Sequence, residues 1–190
     1  TLDAGKCYGP KGGGVLVATQ EIKLKGVTYG GGQEFGFRPG TENTALIIGT
    51  VRSLVRAQSS WESRSKRVSV LRDVFLEQLL ARIPEAVCNG SRESRIANNV
   101  NISIPGFDSE YAVVVLDSKG IAVSTKSACG GADGQGSSVV REISDDTRAH
   151  STIRITLGEE TTVSELERVV AVLAVHIDTM RNFQNGTPTM

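Results

Sequence analysis

The hydrophobic pattern has a helical period in one long stretch of the chain. Between residues 42 and 83, apolar side chains recur at the spacing of one helix face, at Leu46, Ile47, Val51, Leu54 and Val55 and then at Val68, Leu71, Val74, Phe75 and Leu79. Ser59 followed by Glu62 matches a capping box, in which each side chain bonds the other residue's backbone. The pattern therefore predicts two helices that meet near Ser59 and Ser60.

We place a domain boundary close to this junction, with residues 1–55 before it and residues 56–190 after it. The second part alternates predicted strands and helices, which indicates a small α+β sandwich domain. Strands are predicted at residues 86–90, 98–105, 121–125 and 152–157. Helices are predicted at residues 108–120, between Asp108 and Gly120, and at residues 161–183, where Thr162 and Glu165 form another capping box.

The first part is richer in glycine and less regular. Residues 12–19 are predicted to form a buried strand and residues 26–29 a short partner, which together would make a hairpin. The stretch "GGGQEFGFRPGTEN" at residues 30–43 has too much glycine for a regular element and too varied a composition for a linker. We expect a shaped loop there, and an α/β fold class for the whole chain.

The amino-acid composition of the chain argues against some classes of function. Lys plus Arg and Asp plus Glu both number 21 in 190 residues, so no basic field favours a nucleic acid or a membrane surface. No apolar run approaches the roughly 18 residues that span a bilayer, and no charged and apolar leader opens the chain, so we expect a cytoplasmic protein. Thr1 opens the chain in place of a methionine and glycine-rich sequence follows at once, so we expect a fragment.

The three cysteines do not indicate a disulfide framework or a zinc site. Cys7, Cys88 and Cys129 are odd in number, widely spaced and without a Cys-x-x-Cys pair. We therefore expect no metal, and at least one free thiol with a chemical role.

The stretch "AGKCYGPKGGG" at residues 4–14 combines two lysines with several glycines. A phosphate-binding loop of the Walker type needs a lysine followed by Ser or Thr at the head of a helix, but Lys6 precedes Cys7 and Lys11 leads into a strand. Two interpretations of the stretch remain, a tight turn with solvent-exposed lysines or the seat of a lysine that does covalent chemistry.

Three further features favour chemistry. In "STKSACGGADGQGSS" at residues 124–138, glycines follow Cys129, and such a tether would let the thiol travel, so we expect residues 126–138 to be mobile or disordered. "HSTIRITLG" at residues 150–158 places Arg154 in an apolar strand, where a guanidinium needs a carboxylate partner. The glycines, Arg38 and Thr41 of the predicted shaped loop suit an anion.

Together these stretches resemble the cysteine desulfurases, pyridoxal-phosphate enzymes of iron–sulfur cluster assembly in the class V aminotransferase superfamily of fold type I. Five ordered motifs carry the resemblance: the lysine stretch around Lys6, the loop at residues 30–43, "NNVNIS" at residues 98–103, "SAC" around Cys129, and the strand of Arg154. The resemblance implies that residues 1–55 are a remnant of the large cofactor domain and residues 56–190 the small C-terminal domain.

The resemblance also implies roles for four residues. Lys6 would link covalently to pyridoxal 5'-phosphate and move a proton of the substrate, and Thr41 would reach the cofactor phosphate of the neighbouring subunit in a homodimer. Arg154 would bind the carboxylate of L-cysteine. Cys129 would take the sulfur as a persulfide with release of alanine, and would pass it to a sulfur acceptor or an iron–sulfur scaffold protein.

Two positions depart from the family's pattern. Asp3 stands where many members have a phosphate ligand, so it points elsewhere, or the phosphate is held differently, or cofactor binding is weakened. Lys126 replaces a glycine before the cysteine and either acts on the Cys129 thiol or is a solvated lysine. His150 and His176 lie outside the matched motifs, and we expect both to be structural.

Other functions remain open. A pyridoxal-phosphate lyase or transaminase of the same fold would keep Lys6 and Arg154 without needing a tethered cysteine. The chain is alternatively a non-catalytic domain for folding, dimerisation or docking. The resemblance implies that most cofactor contacts come from sequence preceding Lys6, so we expect these residues alone to bind the cofactor weakly or not at all and to be inactive.

Overall fold

A computed structural model describes residues 1–126 and 136–184, and the chain divides into two compact units. The first unit is Thr1–Glu62 and the second is Ser63–Met190. Among the described residues, none of the helices combines the length and the apolar character needed to cross a membrane. The fold is mixed α/β, with short strands and five α-helices in the described residues.

The first unit contains a two-stranded antiparallel pair that differs from the predicted hairpin. Strand β1 (Leu2–Asp3) pairs with strand β2 (Gly14–Val15). The prediction of a strand at residues 26–29 is wrong, because Gly26 lies against the backbone of residues 36 and 37 and Val27 is almost fully exposed. An alternating strand needs one face to bury, and this segment has none.

Helix α1 (Thr44–Arg82) is a single helix of 39 residues, so the prediction of two helices meeting near Ser59 is wrong. The side chains of Ser59 and Ser60 both donate to the carbonyl of Arg56, one turn earlier in the same helix. A serine inside a helix satisfies its hydroxyl in this way and does not need to cap a new helix. The pattern of Ser59 and Glu62 matches a capping box in sequence, but it does not begin a new helix.

The second unit is built on a three-stranded antiparallel sheet in the order β3 (Val87–Cys88), β4 (Asn99–Ser103) and β5 (Thr152–Thr156). Helix α2 (Ser109–Ser118), helix α3 (Ser138–Ile143), helix α4 (Asp146–His150) and helix α5 (Val163–Gln184) complete it. The three strands lie within the ranges that the sequence predicts. The predicted strand at residues 121–125 is wrong, since this segment forms only an isolated bridge between Ser124 and Arg154.

Helix caps explain where several of these elements begin. The carboxylate of Asp108 accepts from the backbone of Tyr111 and starts helix α2, and Gly120 follows that helix with φ +71°, as predicted. The capping box before helix α5 is confirmed, because Thr162 and Glu165 exchange bonds between side chain and backbone. Hydrogen bonds to the Glu165 carboxylate from the backbone and hydroxyl of Thr162 lower its pKa.

The sheet of the second unit has one apolar and one polar face. Val100, Ile102, Ile153 and Ile155 alternate along strands β4 and β5 and belong to the hydrophobic core, together with Phe75 and Leu79 of helix α1 and Leu173 of helix α5. The intervening residues are polar and lie on the opposite face: Asn99, Asn101, Ser103, Thr152, Arg154 and Thr156. The polar face is where Arg154 lies.

Candidate functional site

Lys6 lies in a short 3₁₀ turn (Ala4–Cys7) of the first unit. The carboxylate of Asp3 accepts from the backbone N–H of Gly5 at 2.9 Å and so caps this turn. The turn closes where Gly9 donates to the carbonyl of Ala4 at 2.8 Å. Of the alternatives for Asp3, the structure supports the first: this carboxylate is directed to the backbone beside Lys6.

The glycines after Lys6 let the chain approach helix α1. A Cβ atom at Gly9 would stand 2.4 Å from the hydroxyl of Ser53, and one at Gly13 would stand 2.2 Å from the hydroxyl of Thr50. Both distances are too short for real atoms, so only glycine permits this packing. These two glycines therefore have a packing role within the first unit, independent of any close approach to a cofactor.

Lys6 and Thr41 are both exposed. Thr41 lies in the loop before helix α1, where the side chain of Gln33 accepts from the backbone of Gly40 at 3.2 Å and the side chain of Asn43 accepts from Leu46 at 3.0 Å. Gly40 has φ +101°, a conformation that favours glycine. The predicted shaped loop is thus closed by its own side chains, and Thr41 is solvent-facing within it.

Arg154 lies in the middle of strand β5 in the second unit and is half-buried. Its backbone exchanges two hydrogen bonds with Ser124, at 2.6 and 3.0 Å. Its guanidinium, by contrast, has no hydrogen-bond or ion-pair partner among the residues that the structure describes. A half-buried cation without a partner is suited to binding an anion, because an incoming carboxylate would supply the missing pair.

Cys129 lies outside the described residues, as does most of the segment for which mobility is predicted. The residues on either side of it are described. Ser124, bonded to Arg154, precedes Cys129 by five positions, and after the gap Ser137 donates its backbone N–H to Ala149 and caps helix α3. Lys126 is not a solvated lysine, since its side chain is 16% exposed and lies 3.7 Å from the carboxylate of Glu110.

The two histidines occupy structural positions. His150 ends helix α4, with its Nδ1 2.8 Å from the carbonyl oxygen of Asp146. His176 is buried in helix α5, with ring contacts to Phe107 and Tyr111, and its Nε2 has no partner among the described residues. Burial lowers the pKa of His176, and the nearby carboxylate of Asp108 partly opposes this effect.

Pyridoxal phosphate, the cofactor that the motifs imply, needs a site that encloses its ring and its phosphate. Lys6, the residue that the sequence predicts to carry the covalent link, is exposed to solvent. A groove of about 220 Å³ in the second unit is lined by Ile121, Leu157 and Leu166 and contains none of the predicted site residues. Typical ligand pockets hold about 300–1,000 Å³. Taken alone, the described residues do not fit a complete cofactor site, although Lys6 could provide its covalent link.

Sequence reasoning missed one part of the polar face. Asn101, Asn89 and Thr152 form a hydrogen-bonded network beside Arg154. The alternation of polar residues in "NVNIS" (Asn99–Ser103) is the signal that could have identified it. Within the ranges 1–126 and 136–184, no group of three or more His, Cys, Asp or Glu side chains could hold a metal ion.

Comparisons with known proteins agree with the motifs. The chain is similar to the cysteine desulfurase IscS of Clostridium botulinum, with 37% identity over 176 residues, which cover 91% of this chain and 44% of that protein. It is also similar to the cysteine desulfurase IscS of Dictyoglomus turgidum, with 36% identity over 182 residues, covering 95% of this chain and 46% of the relative. The chain therefore spans about half the length of the curated relatives it matches.

Solved structures share the fold. A NifS-like protein superposes with a TM-score of 0.79 over 93% of this chain and 45% of that protein, at 24% identity. The NifS-like protein of Rickettsia africae gives a TM-score of 0.70 over 83% of this chain and 41% of its own, at 23% identity. The model of the aminotransferase class-V family matches residues 2–169. That match covers most of the described residues, and this chain belongs to the aminotransferase class-V family.

Proposed function

We propose that this chain is part of a cysteine desulfurase, which moves the sulfur of L-cysteine to an enzyme cysteine and releases L-alanine. The observation that carries the proposal is the half-buried guanidinium of Arg154, which has no partner in the described part of the chain. The backbone of Arg154 is bonded to Ser124, and five positions later the sequence reaches Cys129. The strand that carries the proposed carboxylate-binding group is therefore hydrogen-bonded to a residue shortly before Cys129 in the sequence.

The proposed transfer balances without an added oxidant or reductant. Cys129 loses its thiol proton and forms a sulfur–sulfur bond as the carbon–sulfur bond of L-cysteine breaks, and the carbon that loses sulfur gains one proton to give alanine, so the protons balance. Arg154 holds the substrate carboxylate, and its planar fork suits the two carboxylate oxygens. Cys129, followed by glycines in the sequence, then passes the sulfur to an acceptor or an iron–sulfur scaffold protein.

The cofactor of this proposal is pyridoxal 5'-phosphate, which, when bound, draws electrons from the substrate carbon that loses a proton. Lys6 provides its covalent link and Thr41 contacts the phosphate bound by the second subunit of a homodimer. We propose that the protein works in the cytoplasm. Because Lys6 and Thr41 are both exposed, we expect the 190-residue chain alone to bind the cofactor weakly or not at all.

Measuring sulfide and alanine released from L-cysteine by the longest natural protein that contains this chain tests the proposal. We expect release by the wild type and its loss in Cys129→Ala. The matched control is Cys88→Ala, which removes a thiol from strand β3 and should leave release unchanged. Sulfide release that survives in Cys129→Ala would contradict the role of Cys129, and a wild type that transaminates without releasing sulfide would favour another enzyme of this fold.

The 190-residue chain itself provides a second measurement. After mixing with pyridoxal phosphate and removal of the unbound cofactor by gel filtration, it should be colourless and should release no sulfide from L-cysteine. A yellow and active preparation of these residues alone would contradict the proposal that the site needs further polypeptide.

A further inference from the structure

Asn101 lies directly opposite Arg154 in the antiparallel pairing of strands β4 and β5. Directly opposite residues carry their side chains on the same face of a sheet, with Cβ atoms roughly 4.5–5.5 Å apart. That face is the polar one, and Asn101 is half-buried within it. The side chain of Asn101 therefore starts beside the side chain of Arg154, whose guanidinium is proposed to hold the substrate carboxylate.

A chain of hydrogen bonds fixes which way the amide of Asn101 is turned. The chain starts at the backbone carbonyl of Arg148, which accepts the hydroxyl proton of Ser103 at 2.8 Å. Because Ser103 has donated its only proton, its oxygen must accept from its other neighbour, Nδ2 of Asn89, at 2.7 Å. The orientation of the Asn89 amide follows from this bond.

The orientation of the Asn89 amide in turn determines the orientation of the Asn101 amide. Nδ2 of Asn89 also donates to Oδ1 of Asn101 at 2.8 Å, and the hydroxyl of Thr152 donates to that same oxygen at 2.8 Å. The oxygen of Asn101 is thus turned into the network and accepts two bonds there. Asn89, Ser103 and Thr152 are almost fully buried, so the network is shielded from water, and Oδ1 of Asn89 is buried without a partner in the described residues.

The remaining group of Asn101 is its Nδ2, which carries two protons and is turned away from the network. No described residue accepts a hydrogen bond from it. A half-buried donor and a half-buried guanidinium therefore occur side by side on one sheet face, both without an acceptor in the described part of the chain. An anion with more than one acceptor oxygen could accept hydrogen bonds from both groups.

We propose that Asn101 is a second substrate-binding residue, whose Nδ2 donates to the carboxylate of L-cysteine alongside Arg154. The inference rests on the proposed function and adds a residue to its site. The guanidinium supplies the charge, and the neutral amide supplies a directed donor that fixes the rotation of the carboxylate plane. Asn89 and Thr152 act as positioning residues, because they hold the oxygen of Asn101 away from the substrate.

Asn101→Asp is the sharpest substitution for a test. Aspartate keeps the inward oxygen that Asn89 and Thr152 bond, but it replaces the outward donor with an acceptor beside Arg154. The new carboxylate would pair with the guanidinium and repel the substrate carboxylate. In the longest natural protein that contains this chain, we expect KM for L-cysteine to rise about tenfold or more, with a much smaller change in kcat.

Asn99→Asp is the matched control. It makes the same chemical change on the same face of strand β4, two residues away and opposite Thr156 instead of Arg154. We expect its KM to stay within about twofold of the wild type, because the residue opposite Arg154 is still Asn101. Equal KM values for Asn101→Asp and the wild type would overturn the inference, as would equal increases in the two variants.

A measurement on the wild type does not depend on whether a variant folds. With asparagine side chains labelled by nitrogen-15, titration with L-alanine should shift the Nδ2 resonance of Asn101, and titration with ethylamine, which lacks the carboxylate, should not. Absence of the L-alanine shift overturns the inference. If the wild type releases no sulfide, the proposed function fails; if it does and Asn101→Asp keeps the wild-type KM, only this inference fails.

Discussion

The two units differ in how many of their apolar side chains are buried. Nearly all the buried hydrophobic side chains belong to the second unit, whereas Ala4 is the single one within Thr1–Glu62. In the first unit, Val27, Tyr29 and Phe35 are 89%, 85% and 95% exposed. The second unit therefore has a core of its own, and the first unit carries apolar residues that its own chain does not cover.

This difference separates two kinds of site residue. Lys6 and Thr41 belong to the unit without a core and are exposed, so their surroundings must come from outside the described residues if they hold a cofactor. Arg154 and Asn101 belong to the unit with a core, and a buried network holds the amide of Asn101. The substrate-binding half of the proposed site is thus preorganised by this chain, and the cofactor-binding half is not.

The largest expected effect is the loss of a core side chain from the second unit. Phe75 is fully buried against the apolar face of the sheet. Phe75→Ala should lower the free energy of unfolding by about 3–5 kcal/mol, through lost burial and a new cavity. Urea unfolding followed by circular dichroism measures the change.

Val55→Ala is the control in the first unit, since Val55 is exposed on helix α1. It should change the free energy of unfolding by less than about 0.5 kcal/mol. Similar decreases in the free energy of unfolding for Phe75→Ala and Val55→Ala would contradict the conclusion that only the second unit has a core.

A smaller effect is expected from Gly13→Ala, which tests whether the first unit has specific packing. The new Cβ would stand 2.2 Å from the hydroxyl of Thr50, which is buried and has no partner in the described ranges. Overpacking of this kind costs about 1–3 kcal/mol. Hydrogen exchange of the backbone amides in residues 4–14 should become faster.

The double variant Gly13→Ala, Thr50→Ala provides the check on this prediction. Removing the hydroxyl of Thr50 removes the clash, so exchange should return toward the wild-type rate. Faster exchange that persists in the double variant would show that the clash is not the cause.

The stability of the second unit should depend on pH through the buried His176. Burial lowers the pKa of His176 in the folded state, so the unfolded chain binds a proton at this residue more readily. The free energy of unfolding should therefore be undiminished above the unfolded pKa of about 6.5 and should fall as the pH drops below it. His176→Phe, which keeps an aromatic ring near Phe107, should flatten this part of the profile; an unchanged slope between pH 7 and pH 5 would contradict the assignment.

The smallest effect on stability is expected for the exposed apolar residues of the first unit. Val27→Thr with Phe35→Ser should shift the free energy of unfolding by no more than about 0.5 kcal/mol. The same change should reduce binding of the dye ANS, which reports exposed apolar surface. Unchanged dye binding would indicate that these residues do not form the apolar surface that distinguishes the first unit.

The sequence predicted the second unit better than the first. Strands β4 and β5 and helices α2 and α5 followed from alternation, helical spacing and caps, because each of them buries one face in a core formed within the chain. Residues 26–29 have the composition of a strand but no partner, so composition alone was misleading there. Helices α3 and α4 are too short for a periodic signal, and only the caps at Ser137 and Asp145 mark them.

The candidate site was predictable at the level of residue types. The motifs around Lys6, Thr41 and Arg154 could be identified along the sequence, but exposure and hydrogen-bond partners could not. The role of Asp3 required the structure, because a capping bond depends on the backbone of Gly5. Asn101 was missed because its importance comes from the register of strands β4 and β5, which are distant in sequence and place it opposite Arg154.

The buried position of Asn89 has a consequence for chemical ageing. Asn89 is followed by Gly90, and an asparagine before a glycine is a labile pair, since the small glycine lets the next backbone nitrogen attack the amide. In the folded chain Nδ2 of this amide donates to Asn101 at 2.8 Å and to Ser103 at 2.7 Å, which restricts that attack. Conversion of Asn89 to aspartate would then occur mainly when strand β3 opens, and its slow accumulation in stored protein would record how often the network comes apart.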